Sequence, residues 1–136
     1  MSFIVCENAW PPQDDQPFKR PKQKKKAHNS EADLSAVIIK KLNGQSQRTV
    51  ICQKCHGSAY GQPTLDIFGS CDGRFFWLEV KQPGQKPTSR QVNTMKKWIA
   101  KGAIASWTDS VEGAMVFIYS DWFKLTDKQM LEGFHV

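Results

Sequence analysis

Two carboxylates and a lysine stand at positions of the sequence where they can act together. Asp66 begins one apolar segment, and Glu79 and Lys81 follow the aromatic run Phe75-Phe76-Trp77. Side chains alternate between the two faces of a strand, so Glu79 and Lys81 share a face while Val80 points the other way. Converging carboxylates repel each other unless a cation lies between them, and their hard oxygens suit Mg²⁺ or Mn²⁺. With Lys81 to orient a water and offset phosphate charge, the pattern predicts phosphodiester hydrolysis.

A simpler interpretation is open at this point. Asp66 and Glu79 are then ordinary carboxylates at strand ends, and Lys81 is their surface ion-pair partner, an interaction that contributes little to stability. The context favours the chemical interpretation, because the charges end a strand that is apolar enough to be central. Functional sites gather at the strand ends of buried sheets.

The elements that must position these residues follow from periodicity, caps and turns. Asp72-Gly73 between two apolar runs predicts a hairpin. The predicted elements are a helix over 30–43, strands over 47–55, 65–68 and 75–81, a helix from a Thr88 or Ser89 cap to about Ala100, a strand over 103–107, a short helix over 109–115, an edge strand over 116–119 and a helix over 126–132. The order helix, three strands, helix, strand predicts an α/β fold, a mixed sheet with helices packed on it.

Charge is distributed unevenly along the 136 residues, whose formal net charge is +6. Six of the 19 basic residues lie in the window 19–26, and the rest of the chain holds 13 basic and 13 acidic residues. Residues 7–29 have almost no aliphatic side chains to bury, so we expect a flexible basic arm over 1–29 and one domain over 30–136. The arm is either a solvated tail or an electrostatic contact for a polyanion.

Several classes of protein are excluded by the composition. No apolar run approaches the ~18–20 residues that span a bilayer, and no secretory signal is present at the start. We therefore expect an unexported, cytoplasmic chain whose four cysteines are free thiols.

Five stretches together resemble the VRR-NUC domain, the virus-type replication-repair nuclease branch of the PD-(D/E)xK superfamily. They are His56-Gly57-Ser58, Gly61-Gln62-Pro63-Thr64-Leu65-Asp66-Ile67, Asp72-Gly73-Arg74, Leu78-Glu79-Val80-Lys81-Gln82-Pro83-Gly84 and Pro87-Thr88-Ser89-Arg90-Gln91. The resemblance runs from about Glu31 to Ala114. It implies a restriction-endonuclease-like mixed sheet flanked by helices in a metal-dependent endonuclease.

The resemblance also implies roles for particular residues. Asp66, Glu79 and the Val80 carbonyl would bind Mg²⁺ or Mn²⁺, and Lys81 would complete the E-x-K motif. The sequence departs from the usual Pro-Asp doublet, because Pro63 stands three residues before Asp66. We keep Asp66 as the ligand since it begins the apolar strand.

Two further residues enter through the same resemblance. The acid of the first helix falls on Glu31, with Asp33 as the weaker candidate, and the helix-borne glutamine falls on Gln91, where it would orient Lys81 or the phosphate. Stand-alone members look like homodimers, and relatives act on branched DNA. We therefore expect a homodimer that cuts branched, flap-bearing or Holliday-junction-like DNA in phage or bacterial replication, recombination or repair. The alternative is a DNA-binding module that keeps the fold without catalysis.

Candidate DNA contacts flank the predicted site. They are Lys54, His56, Ser58, Tyr60, Lys86 and Arg90, with Lys22, Lys24, Lys25 and Lys26 in the arm. Each has a plainer interpretation, since the loop before Asp66 is also interpreted as a turn held by its own side chains and the helix cations as a solvated face.

Cysteines and tryptophans allow two more interpretations. Cys52-x-x-Cys55, His56 and Cys71 are a possible zinc set without the usual second pair, and thiols buried or half-buried in the fold are the alternative. Trp77 and Trp98 are predicted to lie in the core. Trp107, Trp122 and Phe123 are interpreted as a candidate dimer patch.

Overall fold

Four helices and four strands lie in the residues described by the computed structural model, which are 30–57 and 63–135. In chain order they are α1 (Glu31–Asn43), β1 (Val50–Lys54), β2 (Ile67–Cys71), β3 (Arg74–Val80), α2 (Ser89–Ala100), β4 (Ile104–Thr108), α3 (Val111–Tyr119) and α4 (Asp127–Glu132). The predicted order of helix, three strands, helix and strand is confirmed. None of the helices in these ranges has the length and apolar character that a membrane crossing needs.

A four-stranded mixed sheet forms the middle of the domain, in the order β1-β2-β3-β4. The first three strands are antiparallel, and β4 lies parallel to β3. The predicted hairpin joins β2 to β3 through Asp72 (φ 52°) and Gly73 (φ 84°), the two positive φ angles that a tight two-residue turn requires. The antiparallel pairing places the start of β2 beside the end of β3.

Three of the helices begin with a reciprocal capping box, in which the cap side chain and the third helical residue bond to each other's backbone. Ser30 pairs with Asp33 at α1, Thr88 with Gln91 at α2, and Thr126 with Gln129 at α4. These bonds satisfy N–H groups that the first turn of a helix leaves without partners. The predicted starts of all three helices are confirmed.

The helices cover the sheet unequally. On one face, α1 contributes Ile38 and Leu42 to the core, and α3 contributes Phe117, whose ring centroid is 5.6 Å from that of Phe76. On the other face, Trp98 of α2 packs against Trp77 at 5.4 Å between ring centroids. Helix α4 lies along β4, where its backbone accepts hydrogen bonds from the side chains of Ser106 and Trp107. The molecule is thus an α/β domain with helices on both faces of a mixed sheet.

The predicted edge strand over 116–119 is wrong, because these residues continue helix α3. Strand-favouring residues such as Val116 and Ile118 suggested a strand, but the Ser110 side chain caps a helix by accepting from the Gly113 N–H at 2.9 Å. Ala114, Phe117 and Ile118 are then buried on one helical face. Packing against the sheet overrides the local preference.

The tryptophan predictions are confirmed for one residue and corrected for three. Trp77 is buried as expected, whereas Trp98 is 38% exposed and lies at the edge of the core. Trp107 and Trp122 are both buried, so they are not available for a surface patch. Of the candidate dimer residues only Phe123, which is 88% exposed, lies on the surface.

Candidate active site

Asp66 and Glu79 meet where β2 begins and β3 ends. The Asp66 N–H donates to Glu79 Oε2, with 3.2 Å between nitrogen and oxygen, and the Val80 N–H donates to Asp66 Oδ2 at 3.1 Å. Each carboxylate is therefore held by the backbone of the other strand. The two residues between Pro63 and Asp66 do not prevent this meeting, so the structure brings together the two acids that the sequence spacing had paired.

Burial and charge make this pair of acids unusual. Glu79 is only 3% exposed. Its burial, followed by the negative charge of Asp66 and a hydrogen bond between the two side chains, raises the pKa of Glu79 to about 8. The positive charge of Lys81 and the Asp66 N–H lower the pKa but do not outweigh those causes. Burial and the neighbouring Asp66 therefore favour the protonated form of Glu79 more than Lys81 favours the ionised form.

Lys81 lies directly after β3, on the same face of the sheet as Glu79. Its N–H donates to the Thr108 carbonyl at 2.9 Å, which extends the pairing with β4 by one residue. Its ammonium Nζ lies 3.5 Å from Gln91 Oε1 and 3.6 Å from Glu31 Oε1. The structure thus brings Glu31 and Gln91, from two different helices, to one buried lysine.

Gln91 links the lysine to the acid pair. Its Nε2 donates to Glu79 Oε1 at 2.9 Å, and its Oε1 accepts from the Thr88 N–H at 2.9 Å as part of the α2 capping box. A chain of hydrogen bonds runs from Thr88 through Gln91 to Glu79 and Asp66. The sequence contained a signal for this arrangement, the Thr-x-x-Gln pattern of a capping box, but Thr88 was interpreted only as a helix cap.

A divalent cation fits the donor set at the acid pair. Asp66 and Glu79 offer two carboxylates, and the Val80 carbonyl points to the same side as the Val80 N–H, which is directed at Asp66. Mg²⁺ takes one or two carboxylates and keeps several waters, so it does not need a closed protein cage. Within 30–57 and 63–135 no group of three or more His, Cys, Asp or Glu side chains is placed to hold a metal ion. The set therefore suits Mg²⁺ or Mn²⁺ with water completing the coordination.

The predicted DNA contacts before the site lie partly outside the described residues. Ser58 and Tyr60 are in the gap, and Lys22, Lys24, Lys25 and Lys26 precede the first described residue. His56 is exposed and follows Cys55, whose N–H donates to the Asp66 carbonyl at 2.7 Å, so His56 lies next to the site. Lys54 is paired with Ile67, and strand alternation directs its side chain to the face opposite Glu79.

The predicted contacts after the site surround the start of α2. Lys86 lies in the loop before the helix, Arg90 precedes Gln91, and both are exposed. Arg90 belongs to the first turn of α2, and Lys86 lines a surface depression together with Trp107 and His135.

The cysteines take separate positions in the fold. Cys52 is buried against α1, with its Sγ 4.0 Å from the Ile39 carbonyl oxygen, and burial raises the pKa of this thiol to about 11. Cys71 is also buried, at the hairpin end of β2, and Cys55 is half-buried beside Asp66. A buried thiol with a raised pKa stays protonated at neutral pH and packs as a small apolar side chain.

Comparison with known proteins adds no assignment to this geometry. The chain matches no protein-family model, and no curated protein matches it. The function is therefore argued from the residues and their arrangement.

Proposed function

We propose that this protein is a Mg²⁺- or Mn²⁺-dependent endonuclease that hydrolyses phosphodiester bonds in DNA. The observation that carries the proposal is the buried pair Asp66 and Glu79, in which the pKa of Glu79 is raised to about 8 although Lys81 lies beside it. Burying two carboxyl groups side by side is unfavourable, and the charge of Lys81 does not offset the burial and repulsion that raise the pKa of Glu79. Perturbed carboxylates with a specific charged partner mark functional sites.

The residues divide the chemistry among themselves. Asp66, Glu79 and the Val80 carbonyl would hold the divalent ion, which supplies positive charge to the scissile phosphate when bound. Lys81 orients the attacking water and offsets negative charge that develops on the phosphate oxygens. Gln91 holds both Lys81 and Glu79 in place through its two amide atoms.

Glu31 has a different place from the acid pair. Its carboxylate lies 3.6 Å from Lys81 Nζ, and its side chain is 39% exposed. In this position Glu31 attracts the ammonium group of Lys81 and holds it beside the site. Its role is therefore electrostatic support of the lysine, as the first-helix acid of the resembled family would provide.

The family and the fold type belong to the same proposal. We assign the chain to the VRR-NUC branch of the PD-(D/E)xK nucleases, with a restriction-endonuclease-like sheet. The support is the position of Asp66, Glu79 and Lys81 at one end of the β2-β3 hairpin, with Gln91 reaching them from the next helix. The family's homodimer and its preference for branched or flap-bearing DNA come with this assignment.

The decisive experiment compares Mg²⁺-dependent nicking of branched DNA by the wild-type protein and by Glu79→Gln. The amide keeps the size of the side chain but removes its charge and one of its two hydrogen-bond acceptors, so we expect cleavage to fall at least about a hundredfold. The matched control is Glu112→Gln, because Glu112 is an exposed carboxylate on α3. We expect this variant to cleave at the wild-type rate.

The outcomes separate the candidate functions. Equal cleavage by the wild-type protein and Glu79→Gln would refute the catalytic assignment. If neither protein cleaves and both bind the DNA equally, the non-catalytic DNA-binding module replaces the endonuclease.

Substrate preference has its own test. Four-way junctions, flaps and plain duplex are compared with the wild-type protein at one salt concentration, because salt changes the affinity for DNA steeply. Preferred cutting of branched substrates supports the proposal, and equal cutting of plain duplex contradicts the structure-selective part of it.

A further inference from the structure

Two helices of this protein begin with the same capping box. At α2, the Gln91 N–H donates to Thr88 Oγ1 at 3.3 Å, and the Thr88 N–H donates to Gln91 Oε1 at 2.9 Å. At α4, Thr126 and Gln129 make the same two bonds at 3.1 and 3.0 Å. Gln129 is exposed at the surface, whereas Gln91 is half-buried against the acid pair. The box at α4 only caps its helix, whereas the box at α2 is hydrogen-bonded to the candidate active site through Gln91.

The Gln91 amide must have one particular orientation. Its Oε1 accepts from the Thr88 N–H and faces the Lys81 ammonium at 3.5 Å, and its Nε2 donates to Glu79 Oε1 at 2.9 Å. If the amide were turned over, its NH₂ group would face one N–H donor and one cation, and its oxygen would face a carboxylate. All three contacts would become repulsive, since an amide nitrogen only donates and an amide oxygen only accepts.

We propose that Thr88 is a positioning residue for the site, acting through Gln91. The Thr88 N–H bonds the Gln91 amide oxygen, and the Thr88 hydroxyl keeps that N–H in place by accepting from the Gln91 backbone N–H. Gln91 in turn contacts Lys81 and Glu79. Thr88 itself is exposed and does not touch the acid pair. The consequence for catalysis rests on the proposed nuclease function, whereas the effect on the Gln91 amide does not.

The first measurement does not depend on activity. Side-chain amide signals of the full-length protein labelled with ¹⁵N-glutamine are recorded by NMR for wild type, Thr88→Ala, Thr88→Ser and Thr126→Ala. We expect Thr88→Ala to shift the Gln91 signal and to speed its hydrogen exchange, because without the bond from the Gln91 backbone N–H to Thr88 Oγ1 the backbone N–H of residue 88 is no longer held against Gln91 Oε1. Thr88→Ser should restore the signal, since its hydroxyl accepts the same bond, and Thr126→Ala should leave the signal unchanged.

The second measurement is steady-state cleavage of DNA by the same four proteins. Misplacement of a catalytic group by about 1 Å costs up to about a hundredfold in rate, so we expect kcat of Thr88→Ala to fall about tenfold or more. The KM for DNA should change less than about twofold, because Thr88 contributes no charge to the phosphate contacts. Thr126→Ala removes an equivalent cap and should keep the wild-type kcat.

Each outcome decides the proposal. An unchanged Gln91 signal in Thr88→Ala overturns it, as does an equal loss of kcat in Thr88→Ala and Thr126→Ala, which would show a general effect of removing a helix cap. A wild-type protein that cleaves no DNA contradicts the proposed function, while the Gln91 signal still decides whether Thr88 fixes that side chain.

Discussion

At the scale of single residues, Glu79 shows how position changes the chemistry of an ordinary carboxyl group. Burial and the neighbouring charge of Asp66 raise its pKa to about 8, although a glutamate in water ionises near pH 4.3. In the proposed metal site, a proton and a divalent cation would compete for the same oxygens. Metal binding at such a site releases a proton and strengthens as the pH rises.

The raised pKa of Glu79 predicts that the free energy of unfolding depends on pH. Between about pH 4.3 and the folded pKa of about 8, folded Glu79 holds a proton that the unfolded chain has released. Its contribution to the free energy of unfolding is therefore greatest in acid and is lost as the pH rises through the folded pKa. Urea denaturation in a chelator at several pH values should show a steeper fall for the wild-type protein than for Glu79→Gln.

Subtracting the pH profile of Glu79→Gln from that of the wild-type protein leaves the contribution of Glu79, because the two proteins share their other titrating groups. Added Mn²⁺ should also raise the melting temperature of the wild-type protein more at about pH 8 than at about pH 6. At the higher pH a smaller fraction of the Glu79 carboxyl groups carries a proton that the metal must displace. Superimposable pH profiles for the wild-type protein and Glu79→Gln would contradict the raised pKa of this carboxyl.

At the scale of elements, the β1-β2-β3 meander depends on one close contact as well as on apolar side chains. Gly69 of β2 is paired with Cys52 of β1, and a Cβ at Gly69 would overlap the Ile51 carbonyl oxygen and the Cys52 backbone. Backbone cannot give way as a flexible side chain does. The approach of β1 to β2 therefore requires glycine here.

Gly69→Ala should consequently destabilise the fold by about 1–3 kcal/mol, the usual cost of inserting a methyl group into packed surroundings. The control is Ser70→Ala, because Ser70 is the next residue of the same strand and already carries a Cβ. Its effect should stay within about 0.5 kcal/mol. Denaturant titration measures both, and a Gly69→Ala protein as stable as wild type would rule out the close approach.

At the scale of the whole molecule, the excess positive charge and the candidate catalytic residues are in different parts of the chain. The window 19–26 carries six of the 19 basic residues, and the remainder is formally neutral and buries the carboxyl group of Glu79. We interpret the basic segment as a source of affinity for DNA that is independent of base sequence, and the domain as the source of cleavage. Each lysine that neutralises a phosphate adds to the salt dependence of binding.

Removal of residues 1–28 tests this division, because it keeps Ser30 as the α1 cap. We expect weaker binding and a salt dependence whose slope is smaller by about 0.9 for each phosphate that the protein no longer neutralises. Metal-dependent cleavage at saturating DNA should remain. A full-length protein with K19Q, R20Q, K22Q, K24Q, K25Q and K26Q separates charge from chain length and should bind as the shortened protein does.

Loss of cleavage at saturating DNA in the shortened protein would refute the division of labour. So would a salt slope that stays the same in both proteins, since the basic segment would then neutralise no phosphates.

Local rules predicted much of the described structure. Ser30, Thr88 and Thr126 marked three helix starts, and Asp72-Gly73 marked the hairpin, because caps and tight turns depend on residues within four positions of each other. The same rules failed at 116–119, where strand-favouring side chains pack as the helix α3 against Phe76. Propensity decides such a segment only when tertiary packing does not.

The amino-acid pattern was enough to pair Asp66 with Glu79 and to put Lys81 on the same face, because a hairpin register and strand alternation are local geometry. Only the tertiary structure could show that Glu79 is buried and that the Thr88 capping box ends on the acid pair through Gln91. Those features depend on where α1 and α2 pack against the sheet. Contacts between elements far apart in the chain are set by the whole core, which no short stretch of sequence contains.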